Sequence, residues 1–371
     1  MHKVINSFRL LKEYCENEGF KGWDPYDGLN SKVFQALPFL KKSAICRLVV
    51  IQGFKRCPVN LRRLALVPKE YNAKGIGLFL SGYCNLYNAV KANPKLAESL
   101  GSPDSLKSRI NELAELLISL QSKGYSGACW GYNFDWQARR LFLFPKFTPT
   151  VVASNFCATA LMEAYEITRE KRFLEIALSA AHFVINDLHR TEYKDGFLFS
   201  YSPLQGNDTV FNASLLGSRL LSFCYKYTGN EEYCELAEQS IKACCSGQKT
   251  NGAWVYGMLP VQSWVDSFHT GYNLDALIAY QELTLKFDNR SHLWELVERK
   301  DMEDIHREEI PKFIFRLVDY ISEIKEWRGT ATQLITQVNE TEVTPNVVTK
   351  ILARFSSEAV RQALPDLTLS D

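Results

Sequence analysis

Between residues 106 and 120 the apolar positions Leu106, Ile110, Leu113, Leu117 and Leu120 step by four, three, four and three. That is the period of a helix with one buried face, and Gly124 follows as a stop. After Arg172, the residues Phe173, Ile176, Ala177, Ala180, Phe183 and Val184 predict another helix. Its face is broad and rich in small residues, which predicts an inner helix packed on both sides. The pattern then recurs. GACWGYNFDW leads into TPTVVASNFCATALMEAYEIT, DGFLFSYSP into TVFNASLLGSRLLSFCYKYT, and NGAWVYGMLP into SWVDSFHTGYNLDALIAYQELT. Each unit is a glycine, an aromatic turn ending near a tyrosine, a polar start and a long helix. Thr168, Thr228 and Thr284 fall at equivalent helix ends, 60 and 56 residues apart, which is the period of one helical hairpin with its loops. Hairpins that each bury a face against the next predict an all-α ring with the aromatic loops gathered at one end. Residues 22–31 (GWDPYDGLNS) and a helix from about Ala73 are expected to join it.

Composition locates a junction. All 10 cysteines precede residue 246, and Gly329 is the only glycine after Gly271. Residues 1–285 carry a net charge of +5 and residues 286–371 one of −4, giving the +1 of the whole chain. The sequence therefore predicts a ring domain over residues 1–286, a charged helical linker over 287–311 and a small helical C-terminal module over 312–371. The cysteines are irregularly spaced, without a C-x-x-C, and read as small reduced hydrophobes in a cytoplasmic protein. The N-terminal segment lacks an export signal, and no apolar run approaches the ~20 residues of a membrane helix. With near-zero net charge there is no global field for nucleic acid.

The segments GWDPYDGLNS, NLRRLALVPKEYNAKGIGLFL, GACWGYNFDWQAR, TPTVVASNFCATALMEAYE, GAWVYG and SWVDSFHTGYNLDAL resemble those of α/α-toroid proteins encoded in bacterial surface-polysaccharide gene clusters. More distantly the chain is similar to the six-hairpin carbohydrate-active superfamily. The resemblance covers about residues 1–285 and implies a glycan or sugar as partner. The family pattern continues for further hairpins where this sequence departs from it, so an incomplete toroid is expected. Residues 313–355 resemble the C-terminal helical module of phage and plasmid replication proteins. A tail of net charge −4 is poorly suited to phosphate contacts, so nucleic acid is not the expected partner.

Sugar-processing toroids need carboxylates or a carboxylate with His or Tyr for proton transfer, and aromatic surface for stacking on sugar rings. The catalytic candidates are Asp27, Asp135, Asp266 and His269. Asp24 and Asp27 sit in W-D-P-Y-D-G, where they serve either acid–base chemistry or turn capping. Asp266 and His269 share a helical face, with Tyr272 three residues on, so the carboxylate either orients the imidazole or caps the helix. The candidate substrate surface comprises Trp23, Tyr26, Trp130, Tyr132, Trp136, Trp254, Tyr256 and Trp264, with Asp24 and Tyr272, although packing between hairpins accounts equally for the aromatic run from Trp130 to Trp136 and for the tryptophans. Gln137 and Arg139 are candidates to read a carboxylated sugar, although an ion pair accounts equally for Arg139. Trp23, Trp130, Trp254 and Trp264 are expected near one another at the loop end. No Walker A, dinucleotide fingerprint, H-E-x-x-H or G-x-S-x-G occurs, and neither a cofactor nor a metal is expected.

Overall fold

The computed structural model describes residues 2–137, 143–194 and 196–284, with Gln333, Leu334 and Thr336. Apart from those three residues, the tail module lies outside the described residues, as do the linker and Arg139. The chain divides into two compact units, one of Met1–Gln248 with Trp254–Ser291 and one of Lys249–Ala253 with His292–Asp371. The helices and strands named below belong to the first, whose fold is all-α with two short hairpins.

The longer helices are α1 (His2–Asn17), α2 (Ala44–Arg56), α3 (Ala73–Ala92), α4 (Pro103–Ser119), α5 (Val151–Thr168), α6 (Lys171–Asn186), α7 (Phe211–Thr228), α8 (Glu231–Ser246) and α9 (Ser267–Thr284). From α3 onward they alternate. Helices α3, α5, α7 and α9 each pack on the next, while α4, α6 and α8 pack behind their neighbours. This is the inner and outer layering of an α/α toroid, carried here through four inner helices.

The inner helices differ from the outer ones as their composition requires. Val151–Ala153, Cys157, Ala158, Ala160, Leu161 and Ala164 bury nearly the whole circumference of α5, and α7 does the same with Ala213, Ser214, Gly217, Ser218 and Ser222. Helix α4 buries only the stripe Leu106, Ile110, Leu113, Ala114 and Leu117, an outer helix with one wet face. The prediction for residues 171–186 is corrected: α6 is an outer helix, buried through Phe173, Ala177, Ala180 and Phe183 on one side only.

The repeat holds at the level of single bonds. Thr168, Thr228 and Thr284 each turn their hydroxyl back to the carbonyl four residues earlier, on Ala164, Cys224 and Tyr280. Arg169 and Gly229 then take left-handed conformations (φ 62° and 64°) that end α5 and α7. Glu170 and Asn230 follow as N-caps of α6 and α8.

The aromatic turns are wedged between hairpins. A Cβ on Gly127 would lie 1.9 Å from the Ser179 carbonyl oxygen of α6, and one on Gly196 would lie 2.1 Å from that of Gln239 on α8. Only glycine permits those approaches. The N–H of Trp130 donates to the Ser154 hydroxyl of α5, and that of Phe199 to Ser214 of α7. The first N–H of α5, on Val151, donates to the Tyr201 carbonyl, and that of α7, on Phe211, to the Tyr256 carbonyl. Each turn thus satisfies a helix-start donor that has no partner inside its own helix.

Two strand pairs complete these turns: β1 (Trp136–Gln137) with β2 (Leu143–Phe144), and β3 (Arg190–Tyr193) with β4 (Gly196–Phe199), both antiparallel. Trp136 and Leu143 also pack on a small core of Leu29, Phe34 and Ile51, which joins the N-terminal segment to the ring.

Candidate functional site

The N-terminal turn is built around an ion pair. Arg62 Nε donates to Asp27 Oδ1 at 2.8 Å, and the same guanidinium donates to the Asp24 carbonyl at 2.8 Å. Asp27 is 3% and Arg62 9% exposed. Burial pushes the Asp27 carboxyl above its ordinary value against the pull of Arg62. The other oxygen of Asp27 accepts the Asp24 N–H. Asp27 therefore holds the turn from beneath. Asp24 is the carboxyl that reaches open space. It accepts the Tyr26 N–H at 2.9 Å and lies 3.4 Å from Asn72 Nδ2. Burial raises its pKa, with the Tyr26 N–H opposing.

Asp24 lines a cavity of about 540 Å³ at the loop end of the inner helices. Its walls include Tyr26, Lys74, Tyr132, Phe134, Trp136 and Tyr201. Asn72, also in the wall, caps α3 by accepting the Gly75 N–H. The phenol oxygens of Tyr132 and Tyr201 are 3.5 Å apart, and the Tyr132 ring stacks on Phe134 at 5.5 Å. Burial pushes Tyr132 up to about 12, with the Tyr201 hydroxyl opposing and Asp24, Tyr256 and Tyr272 within electrostatic range. Tyr132, Tyr201 and Tyr256 each stand two residues after a buried aromatic in successive repeats. The ring therefore delivers three equivalent tyrosines to one place.

A second group adjoins the first through Tyr256 and Tyr272. His269 Nδ1 is 2.6 Å from Asp266 Oδ2, and the His269 N–H donates to Asp266 Oδ1 at 2.8 Å. Trp264 Nε1 donates to the same carboxylate at 3.2 Å. Burial resists the charge on Asp266, but these donors outweigh it and hold the carboxyl below its ordinary value. Asp266 thus caps the start of α9 and orients the imidazole at once; the two readings open in the sequence are both filled. With Nδ1 engaged, Nε2 is left as the working nitrogen. Tyr256 stacks on Trp264 at 4.4 Å and meets the His269 ring edge-on at 4.7 Å. Phe268 joins His269 to Tyr272.

Several expected residues are elsewhere. Trp130 is fully buried and donates its indole N–H to the Leu117 carbonyl at the end of α4. Trp254 is 3% exposed and donates to the Cys244 carbonyl at the end of α8. These tryptophans plug the ends of outer helices, the packing role that the sequence left open for them, and present no exposed face. Asp135 accepts the Lys146 N–H at 2.7 Å, pinning the loop beside the β1–β2 hairpin. Gln137 is buried and accepts from Arg47 Nε at 2.9 Å. Trp23 donates to the Val67 carbonyl, lies under Lys69 and lines a separate cavity with Cys15, Lys21 and Arg62.

Sequence reasoning missed Lys74 and Tyr201. Tyr201 was visible as the repeat equivalent of Tyr132 and Tyr256. For Lys74 the one local clue is a cation in the first turn of a helix, where the backbone dipole disfavours positive charge. Among the described residues no group of three or more His, Cys, Asp or Glu is arranged to hold a metal ion, and no helix is long and apolar enough to cross a membrane.

No family model matches the chain, and no curated protein matches it in sequence. Among solved structures it is similar to a sugar epimerase from a ruminal bacterium, at 12% identity over 78% of each chain with a TM-score of 0.45. It is also similar to a D-mannose isomerase (13% identity, 73% of this chain and 74% of that one, TM-score 0.42). A third likeness is to an unsaturated glucuronyl hydrolase from Bacillus sp. GL1 (14% identity, 72% and 69%, TM-score 0.40).

Proposed function

We propose that this protein binds a glycan in the cavity at the loop end of the ring and carries out proton-transfer chemistry on it, as a hydrolase, lyase or epimerase. The observation that supports this reading is the company the cavity keeps. Aromatic rings and phenol hydroxyls wall it, a carboxyl whose pKa is raised opens into it, and an oriented histidine adjoins it. Aromatic faces suit the C–H faces of sugars, and hydroxyls suit their polar edges. A carboxyl whose pKa is raised by burial is suited to give a proton, and a histidine backed by a carboxylate to take one. In this reading Asp24 is the acid and His269 the base, with Asp266 positioning it. Asp27, Trp130 and Trp254 support the scaffold.

The test is a panel of bacterial polysaccharides and their oligosaccharides, followed by reducing-end release, by absorbance of unsaturated products and by solvent-deuterium incorporation. These three readouts separate hydrolase, lyase and epimerase. Asp24→Asn and His269→Gln are each expected to lower the rate by roughly 100- to 10,000-fold. Binding without any of the three reactions, unchanged in both variants, would refute the catalytic roles and leave a glycan-binding protein. Absence of binding to every glycan would refute the reading as a whole.

A further inference from the structure

Lys74 stands in the second position of α3, on the cavity wall beside Asn72 and Gly75. Its ammonium lies 4.7 Å from the Phe156 ring centroid and 5.5 Å from that of Tyr272. Among the described residues it makes no ion pair and no hydrogen bond, although Asp24 lines the same cavity. Aromatic faces hold a cation in place without neutralising it. Burial lowers the pKa of Lys74, and the Asp24 carboxylate acts on it across the cavity without a direct bond. The other named groups of the wall are uncharged: proline, glycine, leucine, asparagine and aromatic residues. Among the described residues the cavity therefore presents one cation that no hydrogen bond or close ion pair engages, on a surface otherwise fitted for a sugar.

Resting on the glycan reading above, we infer that the cavity selects a sugar bearing a carboxylate, a uronic acid, and that Lys74 is the residue that reads it. The bound carboxylate supplies the direct contact that Asp24 does not make with Lys74, while the tyrosine hydroxyls engage the sugar's own hydroxyls. A monoanion fits better than a phosphate dianion, because among the described residues a single lysine faces it and the Asp24 carboxyl is close by. Of the two residues that the sequence offered for this role, Gln137 accepts from Arg47 and Arg139 lies outside the described residues.

The test is direct binding to the full chain, by calorimetry, of D-glucuronate, D-galacturonate and D-mannuronate. Each is compared with its parent hexose and with that hexose's 6-phosphate. At least one uronate is expected to bind about tenfold more tightly than its hexose, a difference of about 1.4 kcal/mol. Lys74→Met is expected to bring that uronate down to the level of the hexose, and Lys74→Arg to keep part of the preference. Loss of preference in Lys74→Met counts only with an unchanged far-UV spectrum; where that variant does not fold, Lys74→Arg against wild type decides. Equal binding of uronates and hexoses overturns the inference and leaves the glycan reading standing. Tighter binding of the 6-phosphates overturns the choice of a carboxylate. No binding of any of these sugars overturns the inference and counts against the glycan reading as well.

Discussion

Replacing Arg62 by Met probes the turn that carries Asp24 to the cavity. Methionine keeps much of the apolar stem but removes the donors at 2.8 Å to Asp27 Oδ1 and to the Asp24 carbonyl. Asp27, 3% exposed, then loses its charged donor and keeps only backbone N–H groups, that of Asp24 among them. Two unit charges about 4 Å apart at an effective dielectric of 20 attract by roughly 4 kcal/mol, and orphaning one member of a buried pair costs about 3–5 kcal/mol. Urea unfolding followed by far-UV circular dichroism at pH 7.5 is expected to show a loss of that size. Acid then narrows the gap. Without Arg62 the Asp27 carboxyl, already raised by burial, rises further, so the folded variant takes up a proton that its unfolded chain does not hold. Stability linked to that proton falls as pH rises from the ordinary aspartate value to the raised one, so the variant recovers against wild type on acidification toward pH 4. Asp27→Asn should also destabilise, and the double variant should lose less than the two single losses added together. A loss under 1 kcal/mol, or a gap constant across that pH range, refutes the argument. An Asp27→Asn protein of full stability and no activity would return Asp27 to the catalytic residues.

Gly127→Ala, whose new Cβ meets the Ser179 carbonyl oxygen at 1.9 Å, should lose about 3 kcal/mol in urea unfolding, and Gly196→Ala should behave alike. Gly53→Ala in α2 has open space around its Cβ and should gain up to about 1 kcal/mol; a loss there would show that something else holds that position. Trp130→Ala should cost about 3–5 kcal/mol, as a fully buried aromatic does. Stability unchanged in that variant would contradict its place under α4. Arg219 on α7 pairs with Asp275 of α9 at 2.8 Å and reaches Asn155 and Thr159 of α5, so Arg219→Met should lower the melting temperature by several degrees.

The hairpin repeat was legible because its signals are local. A threonine that bonds four residues back, a left-handed stop and an N-cap after it are all set by neighbours along the chain, so Thr168 and Thr228 announce the same geometry. Asp266 and His269, three residues apart on α9, were legible for the same reason. Burial is a different matter. Trp130 and Trp136 are six residues apart in one aromatic run, yet one fills the end of α4 and the other lines a cavity, because the first meets the preceding outer helix and the second meets its hairpin partner Phe144. The Asp27–Arg62 pair spans 35 residues, and nothing near Asp27 distinguishes a buried counter-ion from an open carboxyl. Lys74 is the clearest case: its chemistry comes from Phe156 on α5 and Tyr272 on α9, which only the closing of the inner helices brings to it. Sequence by itself determined the helices, their period and the loop end where function was to be sought. Tertiary structure decided which residues there face the cavity, since solvation and charge partners depend on contacts that chain-local patterns do not encode.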